Sequence, residues 1–180
     1  ETLINSLKTG FIDKSLQSSN RAYRPELITN DIENGKIVLS TLISELEKCE
    51  EFWISVAFIT TGGIATIINT LIDLEKKEIK GKILASQYLN FTQPEALKRL
   101  KQFKNIELRI AVEGSNHSKG YLFKKNDSSH NLIIGSSNLT DSALKTNKEW
   151  NLKISASENS ELINQVIYEF KKDFSSGIEV

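Results

Sequence analysis

The amino-acid sequence predicts an α/β fold in which a mixed β-sheet is flanked by helices on both faces. Apolar residues recur at helical spacing in several segments, and short runs of apolar and β-branched residues stand between those segments. The two kinds of segment alternate over the first two thirds of the chain, which favours parallel strands covered by helices. In the last third, the strand-like segments are joined by short connections, so we expect antiparallel strands there.

The individual elements follow from this pattern in order. Helical spacing is found over residues 37–46, 64–74 and 94–103, and Pro94 is suited to the first position of its helix. Buried strands are predicted over residues 52–59, 79–85 and 106–112, and further strands over 117–123, 131–136 and 150–155. A closing helix is predicted over residues 162–170. The loops that follow Ile59, Ala85 and Val112 are expected at one edge of the sheet, where such folds bind ligands.

The length of 180 residues predicts one domain preceded by an arm. Residues 1–34 are expected to form an N-terminal helix and arm, because apolar spacing stops at Gly10 and the stretch Ser15–Asn30 is polar. Residues 35–180 are expected to form the domain. The chain contains no methionine, so we expect it to be a piece of a longer protein.

Composition excludes several classes of function. The 23 basic and 23 acidic residues give a net charge of zero, so bulk charge does not favour DNA or a membrane surface. The single cysteine, Cys49, excludes an internal disulfide and suits a reducing compartment, and we expect a cytoplasmic protein. Two histidines exclude a multi-histidine metal site within one chain, and no apolar run is long enough to span a bilayer.

Four polar residues are spaced so that a β-hairpin would bring them together: His117, Lys119, Ser136 and Asn138. Residues two apart in a strand point to the same face. A hairpin centred between positions 127 and 128 would place Lys119 opposite Ser136, and His117 opposite Asn138. The same register would align the apolar residues deeper in the strands, Tyr121 and Phe123 with Leu132 and Ile134.

The chemistry of this group suits phosphoryl transfer. Histidine is a nucleophile or a general acid and base near neutral pH. Lysine, serine and asparagine donate hydrogen bonds to phosphate oxygens, and lysine adds positive charge. The group has no pair of carboxylates to hold a catalytic metal, so we expect metal-independent chemistry and no cofactor.

The same residues resemble the HKD signature of the phospholipase D superfamily. The matching parts are His117-Ser118-Lys119, then Gly135-Ser136-Ser137-Asn138, then Glu149, which lies eleven positions after Asn138. The resemblance implies a phospholipase D-like fold in which a histidine attacks phosphorus and forms a covalent phosphohistidine. A second histidine, from another HKD motif, would protonate the leaving oxygen and later activate water. It implies that Lys119, Ser136 and Asn138 hold the phosphate and that Glu149 orients a histidine.

Further strings resemble one branch of that superfamily, the N-terminal phospholipase D-like nuclease domain of bacterial DEAD/DEAH-type helicases. These strings are Ser55–Thr60, Ile134–Thr140 and Asn147–Asn151. The resemblance implies that the chain accompanies a helicase and acts on nucleic acid, DNA in the first place. ATP would then be required only by the helicase part, outside this chain.

The sequence departs from the family pattern in two ways. The signature aspartate would fall at position 124, which is Lys124, and this departure keeps open a catalytically impaired nucleic-acid-binding module as the alternative function. The chain also holds a single HxK motif. A complete site therefore requires a second HKD half. A C2 homodimer would place His117 of each chain at one shared site, and the alternative is a second histidine-bearing domain elsewhere in the longer protein.

Three more residues are expected to contact the substrate: Thr60, Tyr88 and Ser137. Thr60 precedes a helix, where it is suited either to capping that helix or to a phosphate site at its N-terminus. Tyr88 and Phe91 follow a strand at the same edge, and the sequence allows either base stacking or core packing for them. Trp53 and Trp150 are expected in the core.

These observations rank the functions. The first is a metal-independent phosphodiesterase or nuclease that acts on nucleic acid. The second is the binding module without turnover. The third, phosphodiester chemistry on a phospholipid, is disfavoured because the sequence shows no amphipathic membrane-binding helix, and we expect no membrane partner.

Overall fold

The computed structural model describes residues 24–87, 91–112 and 116–180, which form one mixed sheet with helices. The strands are β1 (Glu26–Ile28), β2 (Glu51–Val56), β3 (Lys80–Ala85), β4 (Ile106–Ile110), β5 (Lys119–Lys124), β6 (Ser129–Gly135), β7 (Asn151–Ser157) and β8 (Ile178–Glu179). The helices are α1 (Val38–Glu47), α2 (Thr61–Lys76), α3 (Pro94–Leu100), α4 (Asp141–Lys145) and α5 (Glu161–Ser176). The helix expected before Gly10 lies outside the described residues.

The eight strands lie in the order β1-β7-β6-β5-β2-β3-β4-β8. Strands β2, β3 and β4 are parallel neighbours, and every other neighbouring pair is antiparallel. The parallel part is the region where helices and strands alternate along the chain, and the antiparallel part is the region of short connections. The predicted mixed sheet is therefore confirmed.

Helices cover both faces of this sheet, as predicted. The larger core lies on the face covered by α1, α2, α3 and α4, where alternate residues of β2, Phe52, Ile54 and Val56, are buried. Helix α5 covers the other face, and the ring of Phe170 stacks on that of Trp53 with centroids 5.0 Å apart. No helix among the described residues is both long and apolar enough to cross a bilayer.

Three short elements were not predicted: β1, β8 and α4. Strand β1 falls within the stretch expected to be an arm, yet it pairs antiparallel with β7 at the edge of the sheet. Strand β8 pairs with β4 at the opposite edge. Strand β1 has three residues and β8 has two, which is too short to show a hydrophobic period, so backbone pairing alone defines both strands.

The predicted hairpin register was wrong by one residue. Strands β5 and β6 pair Tyr121 with Ile133 and Leu122 with Leu132, whereas the prediction placed Tyr121 opposite Ile134. The turn decides the register, because Lys125 and Ser129 close it and Ser128 takes a positive φ of 62°. The apolar pattern did not decide it, since both faces of these strands are covered and either register matches apolar residues.

A close approach at Gly63 fixes helix α2 against the loop that follows β6. A Cβ atom at Gly63 would overlap the backbone carbonyl of Leu139, whereas one at Gly62 would meet side-chain atoms alone, the Cβ of Asp141 at 3.3 Å and Oγ1 of Thr60 at 3.9 Å.

We therefore expect Gly63→Ala to lower the free energy of unfolding by about 2 kcal/mol or more, because backbone atoms must move apart. Gly62→Ala on the same helical turn should change it by less than about 1 kcal/mol, since alanine favours the helix. Urea denaturation of both variants measures the difference. Equal stabilities would show that the loop moves freely away from the helix.

Candidate active site

The predicted catalytic residues all lie at one end of the sheet. The parallel strands β2, β3 and β4 end there, as expected from the sequence. The antiparallel strand β5 begins there at Lys119, β6 ends there, and β7 begins there. The topology therefore brings together His117 and Lys119 before and at the start of β5, Ser136 and Asn138 after β6, and Glu149 before β7.

Lys119 and His117 are in direct contact. The ammonium nitrogen of Lys119 lies 2.9 Å from Nδ1 and 3.2 Å from Nε2 of the His117 ring, and it donates to the His117 carbonyl at 2.8 Å. The lysine side chain is nearly buried, with 9% of its surface exposed. Burial lowers the pKa of Lys119, and the negative charge of Glu149 acts in the opposite direction.

No carboxylate among the described residues forms an ion pair with Lys119. A buried ammonium is costly unless an anion accompanies it. The side chain therefore presents a positive charge beside an exposed imidazole, at a position suited to an anionic group of a ligand.

Asn138 lies in the loop after β6 and is 7% exposed. Its Oδ1 accepts a hydrogen bond of 3.2 Å from the backbone N–H of Phe58, which fixes the orientation of the amide. Its Nδ2 donates no hydrogen bond to any described residue. The Phe58 ring also packs edge-on against the His117 ring with centroids 6.1 Å apart, so His117 and Asn138 share this neighbour.

Ser136 and Glu149 form a hydrogen-bonded pair at the rim. Ser136 Oγ donates to the Glu149 carboxylate and accepts from the backbone N–H of Trp150 at 3.1 Å. Trp150 itself is exposed, so the prediction that it belongs to the core was wrong. The role of Glu149 in orienting a histidine stays a prediction.

The structure turns the Ser137 side chain into the core, contrary to the expectation that it is accessible to the substrate. Its side chain is fully buried, and its hydroxyl accepts from Asn151 Nδ2 at 2.9 Å. Its carbonyl accepts from the Tyr121 hydroxyl, also at 2.9 Å, and burial raises the pKa of that phenol far above its ordinary value. Ser137 therefore anchors the loop to the core, because the observed register directs its side chain inward.

The other two expected substrate contacts have different outcomes. Thr60 caps helix α2, since its Oγ1 accepts from the backbone N–H of Gly63 at 3.1 Å. It also lines a surface cleft of about 760 Å³ together with Phe58, Asn138 and Glu149. Tyr88 lies outside the described residues, and its predicted contact stays a prediction.

Two aromatic residues line one side of this cleft, and the sequence left Phe91 open between base stacking and core packing but did not single out Phe58. The rings of Phe58 and Phe91 pack together with centroids 5.4 Å apart, and Phe91 is 56% exposed. Phe58 was taken only as part of an apolar strand. Its position two residues before the capping residue Thr60, in the loop after that strand, was the available signal.

Position 124, where the family signature has aspartate, lies far from these residues. Lys124 is the last residue of β5 and pairs with Glu51, whereas Lys119 is the first. At about 3.4 Å per residue the two ends of the strand are roughly 17 Å apart. The lysine therefore replaces no group that contacts His117 or Lys119.

A family model described as cardiolipin synthase, PLD-like domain, matches residues 42–174. The chain belongs to this phospholipase D-like family. The superfamily consists of phosphodiesterases that are generally independent of metals. The described residues contain no cluster of three or more histidine, cysteine, aspartate or glutamate side chains placed to hold a metal ion. No curated protein sequence matches the chain significantly.

Solved structures with the same fold include Nuc from Salmonella typhimurium, a phospholipase D family member, with a TM-score of 0.66 and 17% identity over 87% of this chain and 98% of Nuc. NucT from Helicobacter pylori gives a TM-score of 0.65 and 19% identity over 88% of this chain and 99% of NucT. Phosphatidylserine synthase from Haemophilus influenzae gives 0.69 and 16% identity, over 93% of this chain and 42% of the synthase. At these identities the likeness shows a shared fold.

Proposed function

We propose that the chain is a metal-independent phosphodiesterase domain that cleaves nucleic acid, DNA in the first place, through a phosphohistidine intermediate. The observation that carries the proposal is the nearly buried ammonium of Lys119, which has no carboxylate partner among the described residues and contacts His117. This arrangement combines a nucleophile with a fixed positive charge that would bind a phosphate oxygen.

In the proposed reaction, a ring nitrogen of His117 attacks phosphorus while the bond from phosphorus to the leaving oxygen breaks. A second histidine donates the proton that the leaving oxygen takes up. The same histidine then accepts a proton from water as water attacks phosphorus and the bond from phosphorus to nitrogen breaks. Lys119, Ser136 and Asn138 would hold the nonbridging oxygens, where negative charge increases in the transition state.

The second histidine is proposed to be His117 of another copy in a C2 homodimer. The other histidine of the same chain, His130, is buried and pairs with Lys124, at the far end of β5 and β6. A row of exposed apolar side chains, Ile134, Leu152 and Leu27, crosses the sheet from β6 to β1. This row begins next to Gly120 and offers apolar surface for a second copy.

If two copies share one active site, the activity of a mixture of wild-type and variant chains should fall with the square of the wild-type fraction. When wild type and His117→Asn are refolded together in equal amounts, about a quarter of the dimers carry two intact histidines, and about a quarter of the activity should remain. If each chain worked alone, half would remain. Cleavage rates measured across a series of mixing ratios separate the square law from the linear one, and a linear series would contradict the shared site.

Phospholipid is the second candidate substrate, because one observation favours it. An apolar crevice of about 480 Å³ between the sheet and α5 is lined by Leu132, Ile134 and Leu162 and reaches His117. One similar structure is also a phosphatidylserine synthase. Nucleic acid is preferred because most of the side chains around the cleft that holds Asn138 and Glu149 are polar. The strings quoted above also resemble helicase-associated nuclease domains.

The deciding experiment offers labelled single-stranded DNA and phosphatidylcholine vesicles to the wild-type chain in the presence of EDTA. Cleavage of the DNA with no release of lipid headgroup supports the proposal. Headgroup release alone would replace it with the lipid function. Salt-sensitive DNA binding without turnover would replace it with the binding module.

The resemblance also supports a proposed context. The chain would be the nuclease part of a cytoplasmic helicase protein, with residues 35–180 as its phospholipase D-like domain and ATP used only by the motor. Purification of a single polypeptide that contains both this sequence and a helicase motor, encoded in one open reading frame, would support that context.

A further inference from the structure

We propose that Phe91, supported by Phe58, stacks an unpaired nucleobase next to the scissile phosphate, so that the substrate is a single strand. The inference rests on the proposed function and names its substrate class. Phe91 exposes more than half of its surface at the mouth of the cleft that contains Asn138. An exposed aromatic ring of this size beside a phosphate-binding group is suited to a planar ligand.

The distances connect this ring to the reaction centre. The Phe91 ring packs on Phe58 at 5.4 Å, and Phe58 packs on His117 at 6.1 Å. The Phe58 ring therefore contacts both the Phe91 ring and His117, the proposed nucleophile. A phosphate at the histidine would leave the base of an adjacent nucleotide on the side of the phenyl ring.

The backbone that follows Phe91 is held firmly. Thr92 is buried, and its hydroxyl donates to the Ser86 carbonyl at 2.5 Å. Gln93 donates its backbone N–H to the Ile59 carbonyl at 2.9 Å, and its side-chain oxygen accepts from the backbone N–H of Thr61 at 2.8 Å. These bonds attach the residue to the ends of β2 and β3, so binding would require little loss of conformational entropy.

The remaining lining of the cleft favours a base over a lipid chain. Apart from the two phenylalanines, most of its side chains are polar and include Gln93, Thr140 and Asn147. Such groups form hydrogen bonds with base edges and sugars, whereas an acyl chain needs a continuous apolar surface. A base within a duplex is stacked on both sides and must be extruded before it can lie on Phe91, so an unpaired strand is preferred.

The test measures binding with His117→Asn protein, so that the strand is not cut. Fluorescence anisotropy compares a labelled oligothymidylate with an abasic strand of the same length. We expect the strand with bases to bind about 5- to 150-fold more tightly, from the usual contribution of one base–aromatic stack. Adding Phe91→Ala should bring the ratio close to one, and adding Phe91→Trp should retain it.

Tyr168→Ala is the matched control, because Tyr168 is an aromatic residue on α5 that is even more exposed than Phe91, and its loss should leave the ratio unchanged. Equal binding of the two strands, or a ratio that survives Phe91→Ala, would overturn the inference. Anionic phosphatidylglycerol vesicles that displace the strand from the protein with Phe91 but not from the Phe91→Ala protein would also overturn it, in favour of a lipid.

Failure of the stacking site and failure of the proposed phosphodiesterase activity give different results. Wild type that cleaves both strands in EDTA while binding them equally would keep the phosphodiesterase and reject the stacking residue. Wild type that cleaves neither strand but shows the Phe91-dependent ratio would reject the phosphodiesterase and keep the stacking site.

Discussion

Replacing His117 with asparagine is expected to reduce metal-free cleavage of DNA by about 10⁴-fold or more, because the variant has no ring nitrogen to form the covalent intermediate. The chain should remain folded, since His117 is exposed and lies before β5, outside the core. Binding of the strand should persist through Lys119 and Asn138. Rapid-quench cleavage in EDTA and binding by anisotropy, each on the same preparation, measure the two effects.

The matched control is the same substitution at the other histidine. His130 is buried on β6, and its Nδ1 has no hydrogen-bond partner among the described residues. His130→Asn should retain cleavage per folded molecule. Because these are the only two histidines, radioactive phosphate trapped on the wild-type protein should map to the peptide containing His117. Unchanged cleavage by His117→Asn, or label at another residue, would refute the proposed mechanism.

Most of the fold could be predicted because its elements carry a hydrophobic period. Helix α2 shows apolar residues three to four apart, and strand β2 is a short continuous run of apolar and β-branched residues; the structure has both where the sequence placed them. Strands β1 and β8 could not be found, since two or three residues show no period and their partners are distant in sequence.

The predicted cluster depended on a hairpin whose register the sequence did not determine. Apolar residues face both sides of β5, since Tyr121 contributes to the larger core and Leu122 packs under α5. Shifting the pairing of β5 and β6 by one residue therefore still places apolar residues opposite apolar residues. The turn sets the register through the Lys125–Ser129 closure and the Asp127 carboxylate, which accepts from the Ser129 backbone and hydroxyl.

The shift has a direct consequence for the candidate site. It directs Ser137 into the core and leaves Ser136 at the rim, where it donates to Glu149. The predicted catalytic residues still lie at one end of the sheet, because strand direction rather than register brings them there. The exposure of Phe91 could not be read from its type, since phenylalanine is among the residue types that are most often buried.

A buried ion cluster at the other end of the sheet is expected to contribute strongly to the free energy of unfolding. Glu45 of α1 is buried, and its carboxylate lies 2.5 Å from the ammonium of Lys125 and 2.9 Å from that of Lys153. It also accepts a hydrogen bond of 2.8 Å from Asn131 Nδ2. Burial alone would raise the pKa of Glu45, but the hydrogen bonds from Lys125, Asn131 and Lys153 hold it below its ordinary value.

We expect Glu45→Ala to lower the free energy of unfolding by about 3–5 kcal/mol at pH 7, because Lys125 would lose its carboxylate partner and Lys153 would retain only Glu26, at 3.8 Å. That is a large part of the roughly 5–15 kcal/mol available to a domain. Glu47→Ala on the same helix is the control and should change stability by less than about 0.5 kcal/mol, since Glu47 is exposed. Urea denaturation followed by circular dichroism measures both.

The pH dependence tests whether the carboxylate charge is responsible. The folded-state pKa of Glu45 lies below the unfolded one, so its contribution is complete above the ordinary carboxyl pKa of about 4.3 and is lost as the pH falls through the folded-state value. Glu45→Gln retains the shape but has no proton to gain. The stability difference between wild type and Glu45→Gln should therefore shrink between about pH 5 and pH 3. A difference that stays constant over this range would assign the effect to packing, because a side chain that contributes only by its volume does not respond to protons.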